Sequence, residues 1–406
     1  MNSQRKVIPF DFSIGGWCLQ NRGTTPFSDE AVRSFTTEEA LHILADSGSG
    51  IEKVSFHDGD LWSAIENPTQ VMARIEQVKK FCETLGLEVY NFTTNLFSDK
   101  AFRSGAYSSP FPEVREAAIL KACRGVEAAK LFGAKHMIHW LGCCGTDGAY
   151  EQDPRIAHAQ IATGLSVVGN YGLEINCFNL LHSDEPKQYE PRKKSLYHDS
   201  GATSAAFILG LLPDWLRKYF RINPEYPQHV TMLNGDPVNE LGLLLALGLL
   251  APFIHLGGQI TGRMDCDSEP GFGGDYYTDF MILLNLQRAG WKGVIEFDCR
   301  PERTTTTAEG VIKFLKGCTS YVHFLEAKVQ QYFNDAEIQQ LESELTRPQT
   351  SMLLALEAGL ANRSVLAEVR ELSANFKGFD AAHAVSTDCI QDYARRVKQI
   401  VMGVAA

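Results

Sequence analysis

The chain has 406 residues, a formal net charge of −11 and 44% hydrophobic residues, a composition typical of a globular protein. The negative charge argues against a nucleic-acid partner, which requires a basic surface. The longest apolar run, residues 241–254, is too short to cross a bilayer. The ten cysteines do not form a compact disulfide framework, and the first ten residues carry no apolar signal segment, so we expect a reduced, cytoplasmic protein.

Short apolar segments alternate with helical segments through the first 320 residues. The predicted strands are Pro9–Trp17, Gly50–His57, Glu88–Asn95, His136–Trp140, Gly172–Phe178, Tyr219–Glu225, Pro252–Gly257 and Gly293–Asp298. Segments with helical periodicity lie between them, and this alternation predicts a parallel α/β sheet. Eight such units predict a closed (β/α)8 (TIM) barrel over residues 1–320. An open, doubly wound sheet is the alternative, but no Gly-rich phosphate fingerprint follows the first strand.

The pattern changes in the last part of the chain. Residues 321–406 contain helical segments with no strand between them. Helices without a sheet of their own pack on another surface. We therefore predict a C-terminal helical arm that serves oligomer contacts.

Polar side chains accumulate where the predicted strands end. They are His57, Asp60, Asn95, Trp140, Asn176, Glu225, His229, His255, Asp265, Asp267, Asp298 and Arg300. The strands of a parallel barrel end at one mouth, which brings such residues together. Clustered carboxylates repel one another unless a cation neutralises them. We predict a site for one or two divalent ions (Mn, Mg, Co or Zn).

Several motifs resemble the xylose isomerase family over nearly the whole chain. They are VSFHDGDL at 54–61, TTNLFSDKAFRSGAYSSP at 93–110, AAKLFGAKHMIHWLGCCG at 128–145, INPE at 222–225, MDCD at 264–267 and EFDCRPERT at 296–304. The resemblance implies a barrel with a C-terminal arm that forms homodimers or homotetramers. It also implies two divalent cations and aldose–ketose isomerisation by a hydride shift between adjacent carbons.

The same resemblance assigns roles to residues around the substrate. His57 resembles the ring-opening histidine, and Asp60 resembles the carboxylate that fixes its tautomer. Phe97 and Trp140 resemble the walls that shield the substrate, and Phe27 resembles the aromatic residue that a neighbouring subunit inserts into the site. Trp17 is assigned to substrate binding with them. Arg300 stands at the place of a family lysine and is assigned to catalysis.

For the metal ligands the resemblance is partial. Glu225, His229, Asp265 and Asp267 match one cation set, although the spacing leaves Gln228 as the alternative to His229. In the other set Glu225 is shared and Asp298 is kept, whereas His255 replaces an aspartate. Imidazole in that place favours softer ions over Mg.

The fifth predicted strand departs furthest from the family. The family pattern there is Glu-Pro-Lys-Pro-x-Glu-Pro, and its Pro-Lys is expected to be absent from this chain. Either Asn176 or Phe178 takes the ligand position, and both residues are assigned to substrate binding. We therefore predict a divergent metal-dependent isomerase of a sugar or related small α-hydroxycarbonyl substrate. The alternatives are an epimerase, lyase or dehydratase acting on a hydroxyketone, and a catalytically silent barrel.

Overall fold

The computed structural model describes residues 5–20, 34–62, 67–148, 150–191, 193–273, 276–346, 348–376 and 387–404. Its main sheet is parallel and consists of β1 Asp11–Gly15, β2 Lys53–His57, β3 Glu88–Thr93, β4 His136–Trp140, β5 Leu181–Glu185, β6 Phe220–Ile222 with its continuation Glu225–Tyr226, β7 Phe253–Leu256 and β8 Val294–Phe297. Each strand pairs with its neighbours along the chain, and β1 also pairs with β8.

The interrupted strand β6 closes the ring. Its first part, Phe220–Ile222, pairs with β5, and its second part, Glu225–Tyr226, pairs with β7. The break coincides with Asn223-Pro224, where proline cannot donate to a ladder. The eight strands therefore form the predicted (β/α)8 barrel, whose carboxyl ends meet at one mouth.

Helices follow the strands. The described helices are Gly16–Gln20, Thr37–Asp46, Asp58–Leu61, Pro68–Thr84, Pro112–Phe132, Pro154–Glu174, Gly201–Leu211, Asp214–Arg217, Gln228–Thr231, Pro237–Leu247, Tyr276–Arg288, Ala308–Asn334, Ala336–Leu345, Ser351–Ala361, Leu366–Ala374 and Asp388–Met402, with a 3-10 turn at Lys100–Phe102. Four of them begin with proline in the first turn, where its missing N–H has no intrahelical partner to lose. None of the described helices is both long and apolar enough to cross a membrane.

The predicted fifth strand, Gly172–Phe178, is wrong. Helix Pro154–Glu174 continues through the first part of that segment, and the strand lies at Leu181–Glu185. This strand reads LHSDE and is buried along most of its length despite its polarity. Two of its polar side chains have partners inside the fold: His182 Nδ1 lies 2.9 Å from His139 Nε2, and Asp184 Oδ2 lies 2.8 Å from His198 Nδ1. A search for apolar runs therefore misses it.

The chain divides into two compact units. One comprises Ile8–Leu325 and contains the whole barrel; the other comprises Glu326–Ala406 with Met1–Val7. The boundary falls within helix Ala308–Asn334, a few residues beyond the predicted position. In the second unit, Arg396 forms an ion pair with Asp335 (Nη2 to Oδ2, 2.5 Å), which joins helix Asp388–Met402 to the start of Ala336–Leu345.

Candidate metal centre

A pocket opens at the carboxyl ends of the barrel strands. It is lined by Trp17, His57, Thr93, Trp140, Glu185, Lys187, Glu225, His229, Asp265, Asp267, Asp298 and Arg300. Most of the strand-end residues singled out in the sequence meet there, although they come from distant parts of the chain. The barrel topology is the cause, because all of its strands run in the same direction.

Four residues form what we call the four-ligand group: Glu185, Glu225, His255 and Asp298. One ligand atom from each lies within 4.8 Å of the others. His255 Nδ1 lies 3.5 Å from Glu185 Oε2 and 3.5 Å from Asp298 Oδ2. Three carboxylates and one imidazole at this spacing suit a divalent transition-metal ion.

A second cluster, the three-ligand group, consists of Glu225, His229 and Asp265, so that Glu225 belongs to both. His229 Nε2 lies 2.8 Å from Glu225 Oε2 and 3.9 Å from Asp265 Oδ2. Gln228 instead directs its Nε2 to the carbonyl of Asp298 (3.2 Å). Of the two alternatives that the sequence leaves open, His229 is the one that lies among the ligand atoms.

The donor set fits a bound cation. Among the described residues, Glu225 Oε1, His255 Nδ1 and Asp265 Oδ1 are buried without a hydrogen-bond partner, and such orphan atoms are rare in folded proteins. Burial raises the pKa of Glu225 to about 7. Although burial opposes it, Glu185, Glu296 and Asp298 raise the pKa of His255 to about 10. The shift of Glu225 reflects the cost of burying a carboxylate, and that of His255 reflects the negative charge around it; a bound metal ion would offset both in place of protons.

Asp267 lies outside both groups. Its Oδ2 lies 3.3 Å from Arg300 Nε, and its Oδ1 accepts a hydrogen bond from Gln228 Nε2 (3.3 Å). The residue also has a left-handed backbone (φ 45°), which orients its side chain differently from that of Asp265. Arg300 thus neutralises a carboxylate that the sequence assigns to the metal.

Lys187 is a candidate functional residue that the sequence prediction missed. It follows Glu185-Pro186 directly, so the Pro-Lys that we expected to be absent is present, and this expectation is wrong. Its Nζ lies 2.6 Å from Asp265 Oδ2 and forms an ion pair with Glu190. Burial opposes the charge, but Asp265 and Glu190 raise the pKa of Lys187 well above its usual value.

The signal for this motif was in the sequence. Glu185 to Pro191 reads EPKQYEP, which matches the family pattern Glu-Pro-Lys-Pro-x-Glu-Pro at every specified position but one. The predicted strand at 172–178 placed the comparison too early in the chain. The candidate ligand of the fifth strand is therefore Glu185.

Asn176 and Phe178 do not belong to the site, and their assignment to substrate binding is wrong. Asn176 occupies the turn after helix Pro154–Glu174 with a φ of 65°, and the Phe178 side chain is 58% exposed. Neither lines the pocket. Phe27 lies outside the described residues.

His57 lines the same pocket but belongs to neither ligand group. Its ring stacks on Trp17 at 4.0 Å between centroids, and its Nδ1 lies 3.5 Å from Asp60 Oδ2, which also accepts the backbone N–H of His57 at 2.7 Å. Burial, followed by the charge of Arg300, lowers the pKa of His57 to about 3. The imidazole is therefore neutral and held by a carboxylate, as predicted for a proton-transfer residue.

The aromatic residues form a dry wall beside His57. Phe97 packs edge-on against Trp140 at 4.0 Å and against His57 at 5.4 Å. Trp140 also faces Lys187 Nζ, which lies 5.0 Å from its ring. Trp17 Nε1 donates to Asp298 Oδ1 (2.8 Å) and so fixes one ligand of the four-ligand group.

Comparisons with known proteins identify sequence relatives and structures with the same fold. No family model matches the chain. The chain is 30% identical to the xylose isomerase of Thermus thermophilus over 332 residues, covering 81% of this chain and 82% of that one. It is 28% identical to the xylose isomerase of Thermus caldophilus over 331 residues, again 81% and 82% of the two chains.

The solved structures with the same fold include sugar epimerases. The match to an L-ribulose 3-epimerase covers 84% of this chain and 100% of the epimerase chain (TM-score 0.59, 13% identity). The 3-keto-D-glucoside 4-epimerase of E. coli covers 79% with all of its length (TM-score 0.54, 14% identity). At these identities the structures support the fold alone. The identity and coverage of the Thermus relative establish that the chain belongs to the xylose isomerase family.

Proposed function

We propose that this protein is a divalent-metal-dependent isomerase that interconverts an aldose and a ketose. One observation carries the proposal: three members of the four-ligand group (Glu185, Glu225 and Asp298) line a single pocket with Lys187 and neutral His57. The buried His255 completes the group. A silent barrel would have no physical reason to bury so many carboxylates together, because their mutual repulsion costs stability unless a cation is bound.

Glu185, Glu225, His255 and Asp298 would hold the principal cation. A divalent ion in such a position polarises the hydroxyl and carbonyl oxygens of an opened sugar, which lowers the cost of negative charge on them. Three carboxylates balance the charge of the ion, and the imidazole favours Mn, Co or Zn over Mg.

The chain's own groups supply the rest of the chemistry. His57 is neutral and can accept and return a proton during ring opening, while Asp60 fixes its Nδ1 side. Lys187 carries a positive charge beside the ligands, where it can donate a hydrogen bond to the oxygen that becomes charged. Trp17, Phe97 and Trp140 keep water away from the transferred hydrogen.

Epimerisation is the second candidate, and His255 is the observation that favours it. Two glutamates, one aspartate and one histidine form a mixed quartet, and the related folds found above are named as ketose and keto-sugar epimerases. An epimerase exchanges a carbon-bound proton through acid–base groups, whereas an isomerase of this family moves a hydride.

The experiment is incubation of chelator-treated, metal-reloaded protein with a panel of aldoses and ketoses in D2O, followed by mass spectrometry and NMR of the products. We expect aldose–ketose interconversion with little solvent deuterium in the product. Deuterium at an inverted carbon would favour the epimerase instead. If the reloaded protein changes none of the sugars, both candidates are wrong.

A further inference from the structure

A fully buried carboxylate lies directly behind the four-ligand group. Glu296, in β8, is two residues before Asp298 and has no exposed surface. The two-residue spacing directs both side chains to the interior of the barrel, with Glu296 one layer below. Neither the pocket lining nor the two ligand groups include it.

Three neighbouring strands hold this carboxylate. Glu296 Oε2 accepts hydrogen bonds from Ser13 Oγ (2.6 Å), Ser55 Oγ (2.5 Å) and Asn91 Nδ2 (3.0 Å). These donors come from β1, β2 and β3. Burying a carboxylate is expensive, so a dedicated set of donors indicates that its charge is retained.

The other oxygen of Glu296 reaches a metal ligand. His255 Nε2 lies 3.1 Å from Glu296 Oε1, and strand pairing places the two residues side by side in β7 and β8. The opposite nitrogen, His255 Nδ1, faces Glu185 and Asp298. A proton on Nε2 leaves the lone pair of Nδ1 directed at the ligand cluster.

We propose that Glu296 is a positioning residue that fixes His255 as an Nδ1 ligand and supplies, from one layer below, the negative charge that an imidazole lacks. The proposal rests on the metal site of the proposed function. It explains how the chain accommodates a histidine where the family resemblance implies an aspartate: a carboxylate is present but acts through the imidazole. Partners of this kind orient metal-bound histidines and strengthen them as donors.

The test measures the metal affinity of the full-length protein. A chelator first removes any bound metal, and isothermal titration calorimetry with CoCl2 and MnCl2 then gives the dissociation constants. The variant E296Q keeps the size and one acceptor of the side chain but removes its charge, and we expect it to weaken Co2+ binding by about 10–100-fold. The matched control S55A removes one donor to Glu296 while leaving its charge and its bond to His255, so its affinity should stay close to that of the wild type. The visible spectrum of the Co2+ form should change in E296Q and not in S55A.

Equal affinities of E296Q and the wild type would overturn the proposal, as would equal losses in E296Q and S55A. If E296Q does not fold, E296D replaces it, because the shorter side chain keeps the charge but moves it away from His255. An E296D variant with the Co2+ affinity of the wild type would also contradict the proposal. A wild type that binds neither ion would instead contradict the metal site of the proposed function.

A pair of further variants tests the charge argument independently. H255D places two carboxylates side by side, so it should bind Co2+ more weakly than the wild type. The double variant H255D/E296Q removes that repulsion and should recover binding, with a shift of preference towards Mg2+. If H255D and H255D/E296Q bind alike, Glu296 does not contribute charge to the site.

Discussion

The two ligand groups share Glu225 but differ in how their negative charge is balanced. Among the described residues, no lysine or arginine forms an ion pair with any member of the four-ligand group. In the three-ligand group, Lys187 Nζ already lies 2.6 Å from Asp265 Oδ2. Arg300 similarly lies beside Asp267, which the sequence had assigned to the same set.

This difference indicates that a cluster of carboxylates binds a metal ion more tightly when no lysine or arginine already neutralises it. A cation entering the four-ligand group replaces protons alone. A cation entering the three-ligand group must share Asp265 with an ammonium, and the two positive charges repel. We therefore expect one tightly bound ion and a second, weaker one.

The largest effect should follow from removing the shared ligand. E225Q takes a carboxylate from both groups, so tight metal binding should be lost and turnover should fall by more than the roughly 10–100-fold typical of outer-shell changes. Calorimetry and a sugar-conversion assay measure the two effects. E240Q is the matched control, because Glu240 is another buried glutamate but accepts from the Gly201 N–H, outside both groups. Full metal binding by E225Q would remove the basis of the comparison.

Removal of Lys187 should separate catalysis from metal binding. K187M lacks the positive donor, and loss of one preorganised donor typically costs about 10²–10³ in kcat. It also frees Asp265, so the weaker ion should bind more tightly than in the wild type. K193M is the control, since Lys193 is equally buried but pairs with Glu151. A fall in kcat without tighter binding of the second ion would show that Lys187 does not weaken the three-ligand group.

A smaller and selective effect is expected from D265N. Asp265 belongs to the three-ligand group alone, so the weaker ion should lose at least roughly tenfold in affinity, comparable to the lower range for an outer-shell partner. The tighter ion should be unaffected. Titration of the metal-free variant with MnCl2 resolves both steps, and an equal loss at both would contradict the division into two groups.

The smallest effect concerns a histidine for which burial, rather than carboxylates, decides the charge. Burial lowers the pKa of His136, in β4, from 6.5 to about 3. The neighbouring carboxylates instead raise the pKa of His255 to about 10. The unfolded chain binds the proton first, so the stabilising contribution of neutral His136 is present above pH 6.5 and is lost as the pH falls towards 3. Between about pH 7.5 and about pH 5.5 this loss amounts to about 1.4 kcal/mol.

Denaturant unfolding of wild type and H136Q at both pH values measures this contribution. H136Q should be less sensitive to acid by about that amount, whatever its stability at neutral pH. The prediction fails if the free energy of unfolding changes by the same amount between the two pH values in the wild type and in H136Q.

The barrel could be predicted because seven of its eight strands are apolar and bounded by helix signals. The candidate site could be predicted where strand ends carry His, Glu or Asp in familiar motifs, as at His57, Glu225 and Asp298. Strand β5 failed on both counts, because Leu181–Glu185 is polar and its burial depends on partners such as His139 and His198 that only the fold brings near.

The sequence also could not predict which carboxylates in the pocket are paired with a cationic side chain. Asp265 and Asp267 are separated by one residue, yet the first lies with the ligands and the second with Arg300. The bond between His255 and Glu296 depends on the register of β7 and β8. Spacing along the chain identifies candidate ligands, but it does not reveal which of them is already neutralised by a neighbouring side chain.

The most direct test of this account is the number and affinity of the bound ions. Metal-free protein would be titrated with MnCl2 by calorimetry, and the content after extensive dialysis measured by elemental analysis. The account predicts one ion per chain that survives dialysis and a second that is at least roughly tenfold weaker, the factor expected from an affinity difference of about 1.4 kcal/mol. Two ions of equal affinity, or no retained metal, would contradict it.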